Sequence, residues 1–219
     1  MITFLESVLI LAFFKNSLCN YSLCNKSEPV CLPLDYDKSV LPELHEPNRV
    51  KVSIDVDEVI NINQDDSSFL FSGYFNVEWN DRRLIMEEFI FLDGGERLVD
   101  LKLIDEIWQP NIYIYNLLSF EVENVQPSWT GVNSQNRKLF MDGMKNVLYQ
   151  QKVHIKINCP MDLSMYPFDS HVCKLKVGSY SYNDSKMKVL TQDAGGYTHI
   201  KAANNIAFDI CKLKVYTYF

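Results

Sequence analysis

Cys159-Pro-Met-Asp-Leu-Ser-Met-Tyr166-Pro167-Phe168-Asp169-Ser-His171-Val-Cys173 is the stretch on which the reading of this 219-residue chain turns. Two cysteines bracket residues 160–172, and their spacing suggests a disulfide that closes a short loop. Such a bridge ties the end of one strand to the start of the next. Inside the loop an aromatic–proline step sets a rigid turn, because the pyrrolidine ring fixes φ. Asp169 stands where a carboxylate caps backbone N–H groups or pairs with a cation at the end of a domain.

Working outward from the loop, both flanks read as strands. On the N-terminal side, Val147, Tyr149, Gln151, Val153, Ile155 and Ile157 share one face of a strand over Val147–Asn158. On the C-terminal side lies a second strand, Cys173–Tyr180. Further upstream, Val50, Val52, Ile54 and Val56 alternate with Lys51, Ser53, Asp55 and Asp57, the period-two signature of a half-buried strand. The run Phe69–Phe71–Gly73–Phe75–Val77–Trp79 follows a polar turn at Gln64–Ser68, so the two pair antiparallel. Shorter strands are expected at Asn111–Tyr115, Lys186–Leu190 and Ala207–Phe219. Turn-rich gaps separate them at Asp93-Gly94-Gly95, Pro127–Asn136, Asp142-Gly143 and Ala194-Gly195-Gly196. Many strands, little helical periodicity and no βαβ alternation predict an all-β, immunoglobulin-like sandwich of two packed sheets. Ahead of it, residues 20–48 form a loose segment with a short helix, one turn around Lys38 to Leu44.

Composition narrows the function classes. The net charge is −7 and the charges are interspersed, so no basic stripe exists to neutralise nucleic-acid phosphates. The apolar run from Val8 to Phe14 is too short to span a bilayer and fits the core of a signal peptide over residues 1–19. The mature chain is then exposed to an oxidising compartment. Of the remaining cysteines, Cys24 and Cys31 are a possible second bridge, Cys19 leaves with the signal, and Cys211 has no evident partner. Zinc is a poor reading without a C-x-x-C pair or a histidine cluster. Asn20, Asn25 and Asn183 each open an Asn-x-Ser glycosylation tripeptide. His45, His154, His171 and His199 are scattered and no nucleophile or zincin motif occurs, so no catalytic residue, metal or cofactor is expected.

The bridged loop with Tyr-Pro-x-Asp inside resembles the signature of the Cys-loop, or pentameric, ligand-gated ion channels. Three further segments support the resemblance in the order that family uses. Trp79-Asn-Asp81-Arg-Arg83-Leu84 is similar to its W-x-D-x-R-L strand end. Trp108-Gln-Pro110-Asn-Ile-Tyr-Ile-Tyr115-Asn116 is similar to its W-x-P-D…N segment, with Asn111 in place of Asp. Gly178-Ser-Tyr180-Ser-Tyr182 is similar to the segment after the loop that supplies a binding aromatic. The resemblance runs from about Asp35 to Phe219. Cys-Pro-Met-x-Leu and Asn146-Val-Leu-Tyr149 look more like the anion-selective glycine, GABA and glutamate-type members than the cation-selective ones.

The resemblance implies an extracellular ligand-binding domain over residues 49–219, assembled with neighbouring subunits into a homo- or hetero-pentamer. A small neurotransmitter-like ligand would bind between subunits, and a transmembrane part beyond this sequence would carry chloride. Tyr115 and Tyr180 would be principal-face aromatics and Tyr74 the complementary-face one. Anionic members often place an arginine two residues after that last aromatic; here the position is Asn76. A second arginine position corresponds to Lys152, which keeps the charge but loses the bidentate fork. A ligand carboxylate should therefore be held less well. Tyr166, Pro167, Phe168 and Asp169 would press on the membrane part and couple binding to opening. The expected last strand has no returning partner in this sequence. A secreted, membrane-free binding protein of the same fold is the alternative implied by that ending.

Overall fold

The computed structural model describes residues 30–86, 95–123, 136–166 and 168–191, together with the backbone of 214–217. Among the described residues twelve strands occur in chain order: β1 (Val30–Cys31), β2 (Asn48–Asn63), β3 (Ser68–Asn80), β4 (Ile85–Met86), β5 (Arg97–Val99), β6 (Ile112–Ile114), β7 (Leu117–Val122), β8 (Arg137–Met141), β9 (Asn146–Asn158), β10 (Lys174–Ser179), β11 (Met187–Thr191) and β12 (Lys214–Thr217). They form a large sheet in the order β11-β2-β3-β9-β8-β5, with β7 also on β9, and a smaller one in the order β12-β10-β6. The small pair β1-β4 stands apart. The all-β sandwich expected from the alternation is what the chain builds.

Period two explains which residues face in. Val50, Val52, Ile54 and Val56 of β2 are essentially fully buried, and so are Phe71, Val153, Ile155 and Ile157 of β3 and β9. Leu175 and Val177 of β10 and Ile114 of β6 complete the same core from the smaller sheet. A one-residue slip in any of these strands would put the whole apolar set in water, so the core fixes the register. The β2–β3 ladder carries irregularities between Val56 and Glu58 and between Val59 and Asn61. Beside the first lies Gly73, where an added Cβ would fall onto the Asp55 carbonyl oxygen and within 2.9 Å of Val56 Cα. Only glycine permits that backbone approach.

The W-x-D-x-R-L segment closes the end of β3. Asp81 is fully buried. It accepts hydrogen bonds from Tyr36 Oη (2.7 Å), Arg83 Nε (2.9 Å), Arg83 Nη2 (2.8 Å) and the Arg83 amide (3.1 Å). The Arg83 guanidinium lies 4.4 Å from the Tyr36 ring centroid and donates to the carbonyls of Asp37 (3.0 Å) and Val40 (2.8 Å). The Trp108 amide donates to Tyr36 Oη at 2.8 Å, and the Trp108 indole meets Trp79 edge-on at 6.4 Å. Burial, more than any partner, pushes the Tyr36 phenol well above the ordinary tyrosine range.

Two expectations need correction or extension. No helix occupies Lys38–Leu44. Asp37 folds back on itself instead: its carboxylate accepts from the Ser39 amide (2.8 Å) and hydroxyl (2.6 Å), and its carbonyl accepts from the Val40 amide (3.2 Å). That local turn competes with helix, and Pro42 and Pro47 bias the residues before them away from it. Among the described residues the helix that does occur is a 3-10 segment, Leu101–Asp105, whose N-cap Asp100 accepts from the Lys102 amide. Strands β5, β7 and β8 extend the sheet beyond what the alternation predicts. Of the strand expected at Ala207–Phe219, the backbone of β12 runs parallel to β10, and the rest lies outside the described residues. No described helix is long and apolar enough to cross a membrane.

Two substitutions test this framework. Asp81→Ala leaves Arg83 and the Tyr36 hydroxyl without their shared acceptor, and should cost about 3–5 kcal/mol in denaturant unfolding. A loss under about 1 kcal/mol would show that the cluster is not a stabilising hub. Gly73→Ala forces β2 and β3 apart and should cost about 1–3 kcal/mol, the usual penalty of overpacking. Unchanged unfolding would refute the close approach.

Candidate functional site

Two surfaces carry the residues singled out above. The first lies on the smaller sheet. Strand β6 pairs antiparallel with β10, with Ile114 opposite Val177, Tyr113 opposite Gly178 and Ile112 opposite Ser179. Hydrogen bonds extend the ladder at both ends, Tyr115 N to Lys176 O (2.9 Å) and Tyr180 N to Asn111 O (3.2 Å). Because Ile114 faces the core, Tyr113 and Tyr115 both face out. Their rings meet edge-on at 5.2 Å, and Tyr113 lies 5.5 Å from Tyr180. The three are 44%, 49% and 71% exposed, so their contacts are made in water rather than in the core. Gly178, opposite Tyr113, adds no side chain to crowd them.

Tyr115 and Tyr180 were the expected pair, and Tyr113 is the residue that sequence reasoning missed. It bridges them. The signal was present, since Tyr113 is two residues before Tyr115 and so shares its face. Asn111, where the family pattern has Asp, donates from Nδ2 to Ser181 Oγ at 2.9 Å and fastens the two tyrosine-bearing segments together. Asn116 fixes the following corner. Its Nδ2 donates to Asn158 O (2.9 Å) and Lys174 O (2.8 Å), while its Oδ1 accepts from the Lys176 amide (3.1 Å).

The second surface is the outward face of the large sheet. Tyr74 of β3 stands between Asp55 of β2 and Lys152 of β9, and Asn76 stands between Ser53 and Gln150. The structure therefore brings Tyr74, Asn76 and Lys152 together, on a different sheet from the tyrosine trio. Asn76 is already committed: Nδ2 donates to Asp55 Oδ2 (2.8 Å), and Oδ1 accepts from Gln150 Nε2 (2.9 Å). Lys152 Nζ lies 3.0 Å from Glu123 Oε2. That ion pair, before any other cause, holds the Lys152 ammonium above the ordinary lysine range. Sequence reasoning did not see Glu123, which reaches Lys152 only because β7 pairs with β9.

The bridged loop forms the third feature. Cys159 and Cys173 are disulfide-bonded with Cα atoms 5.1 Å apart. Cys159 is buried, and its amide donates to Ser67 O at 2.7 Å. The loop between them turns apolar groups outward: Met165, Tyr166 and Val172 are exposed, and Phe168 is 90% exposed. Asp169 is not free there, because its Oδ2 faces His171 Nε2 and both side chains are largely covered. Pro167 lies outside the described residues. Cys31 is disulfide-bonded, while Cys24, its expected partner, lies outside them together with Cys19, Cys211, Asn20 and Asn25. Asn183 sits exposed in a turn, its Oδ1 accepting from Ser185 Oγ at 2.7 Å.

Comparison with known proteins gives a single picture. Residues 31–214 match the family described as the neurotransmitter-gated ion-channel ligand binding domain. The chain is 29% identical over 161 residues to the gamma-aminobutyric acid receptor subunit pi of Bos taurus, covering 72% of this chain and 33% of that protein. It is 30% identical over 155 residues to the gamma-aminobutyric acid receptor alpha-like protein of Drosophila melanogaster, covering 68% and 20%. With the rho-2 subunit of Rattus norvegicus it shares 27% over 164 residues, covering 74% and 33%. It thus spans a third or less of these relatives, all of them receptor subunits and none an enzyme. The sandwich, the bridged loop and the match over most of the sequence agree, and the chain belongs to the neurotransmitter-gated ion-channel ligand-binding domain family.

Proposed function

We propose that this chain is the extracellular ligand-binding part of a pentameric receptor subunit that binds a small ligand between neighbouring subunits and couples it to a pore of the anion-selective type. The observation that carries this reading is the trio Tyr113, Tyr115 and Tyr180, in which the exposed Tyr113 ring packs against both of the others. Tyrosines packed against each other on a surface form the wall of an aromatic cage. Their negative π-faces attract an ammonium group by about 0.5–2 kcal/mol per contact. Tyr74, Asn76 and Lys152 would line the opposite face, contributed by the next subunit.

Coupling would run through the bridged loop. Binding shifts a pre-existing equilibrium between closed and open forms by as much as the ligand prefers one over the other. The exposed rim with Tyr166 and Phe168, Pro167 between them and Asp169 behind, would bear on the membrane part. Chloride as the permeant ion is what the resemblance of Cys-Pro-Met-x-Leu and Asn146-Val-Leu-Tyr149 to the anion-selective members implies. Signal-directed export with glycans at Asn20, Asn25 and Asn183 would place the domain on the outer face of the plasma membrane.

Agonist responses of receptors containing this chain test the reading. Tyr113→Ala and Tyr180→Ala should each lower agonist potency about 2- to 30-fold, the equivalent of one cation–π contact. Tyr113→Phe, which keeps the ring, should lose much less. Unchanged potency in both alanine variants, with normal surface expression, would overturn the assignment.

A further inference from the structure

The outward face around Tyr74 has the wrong charge for a ligand carboxylate. We propose that Glu123 and Asp55 are specificity-determining residues that make this face select a cationic amine lacking a carboxylate; this rests on the binding-site reading above. A bound carboxylate would need a cation free to pair with it and N–H donors left to aim at it. Lys152 is the cation nearest Tyr74 in the ladder, and it is held by Glu123 at 3.0 Å. The Glu123 Oε2 atom is shut off from solvent, so its counter-ion is the protein's own lysine rather than water. Drawing Lys152 toward a ligand would leave that carboxylate covered and without its counter-ion, which opposes the move.

The amide at the former arginine position fares no better. Asn76 donates from Nδ2 to Asp55 Oδ2 at 2.8 Å and to Ser53 Oγ at 3.4 Å, and its carbonyl accepts from Gln150. What remains open at this spot is acceptor capacity. An ionised carboxylate has about four lone-pair sites, and Asp55 Oδ2 receives the Asn76 N–H at 2.8 Å. Asp55 is exposed and lies directly across the ladder from Tyr74, so an ammonium stacked on that ring would come within reach of a carboxylate. Asp57, on the same face, adds to the negative field felt by Lys152. Of the other cations on this face, Lys51 is held by Glu78 at 2.6 Å, Lys156 is held by Asp66 at 2.8 Å, and Lys138 stands opposite Gln150, two strands from Asn76. Two strand spacings place it about 10 Å away, roughly a Debye length at ordinary salt. Around Tyr74 the carboxylates therefore outnumber the free cations.

Matched ligand pairs test this on receptors containing this chain. γ-Aminobutyric acid with propylamine, and tyrosine with tyramine, present the same ammonium with and without a carboxylate. The amine of each pair should bind at least as tightly as its amino acid. Glu123→Gln should release Lys152 and move the preference toward the amino acid by about tenfold, the factor that corresponds to 1.4 kcal/mol. Asp55→Asn should weaken the amines and spare the amino acids. A wild-type preference for the amino acids that Glu123→Gln leaves unmoved overturns the inference while the binding site stands. Failure of all four probes to bind, together with tyrosine variants that change nothing, overturns the site itself and this inference with it.

Discussion

A single buried carboxylate holds the frame to which both surfaces are attached. Asp81 ends β3, and it gathers Tyr36 from the N-terminal segment, Arg83 from the following turn and, through Tyr36 Oη, the amide of Trp108. A buried anion is tolerable only when its lone pairs are satisfied, and here four donors do so. This explains why W-x-D-x-R and W-x-P occur in one chain: each supplies part of one polar cluster. Trp108 leads directly into β6, and β3 carries Tyr74 and Asn76. The hub therefore sets the position of the tyrosine-bearing surface through Trp108 and of the Tyr74 surface through Trp79. Such a cluster contributes geometry as much as stability, because a less demanding apolar plug could not orient three segments at once.

Much of the frame was legible from residue order, and the failures have physical causes. Strands β2, β3, β9 and β10 each bury one face completely, so their alternation is strong. Strand β8 alternates, with Leu139 and Met141 buried, but over too few residues to stand out, and β5 and β7 do not follow that rule. Leu98, Leu117, Leu118 and Phe120 are exposed, and no clean period survives when a strand is short and partly open on both sides. The turn at Asp37 failed as a helix because a side-chain acceptor two residues away outcompetes backbone hydrogen bonds, an effect that a search for helical period does not weigh. On the candidate surface, the expectation for Tyr115 and Tyr180 rests on motif position alone. Tyr113 needed the sheet, since only pairing with β10 shows that the ring lies between the other two. Glu123 was invisible for a stronger reason. Its role is created by the register of β7 on β9, and nothing local in Glu121-Val-Glu123 distinguishes one carboxylate from the other.

Asn116 supplies a physical link between the tyrosine trio and the bridged loop. It directly follows Tyr115, and its amide group joins the carbonyl of Asn158, one residue before Cys159, to that of Lys174, one residue after Cys173. The disulfide closes the same ring from the other side. A displacement of Tyr115 is thus imposed on both stems of the loop through hydrogen bonds of 2.9 and 2.8 Å, with no flexible connection in between. The stems are themselves constrained, Cys159 by its bond to Ser67 and Lys176 by the Asn116 carbonyl. A bridged loop alone would be a staple. Here both of its stems are tied to the residue that follows Tyr115, the connection that the proposed coupling would use, and an asparagine suits the corner because its amide offers two donors and an acceptor in one plane.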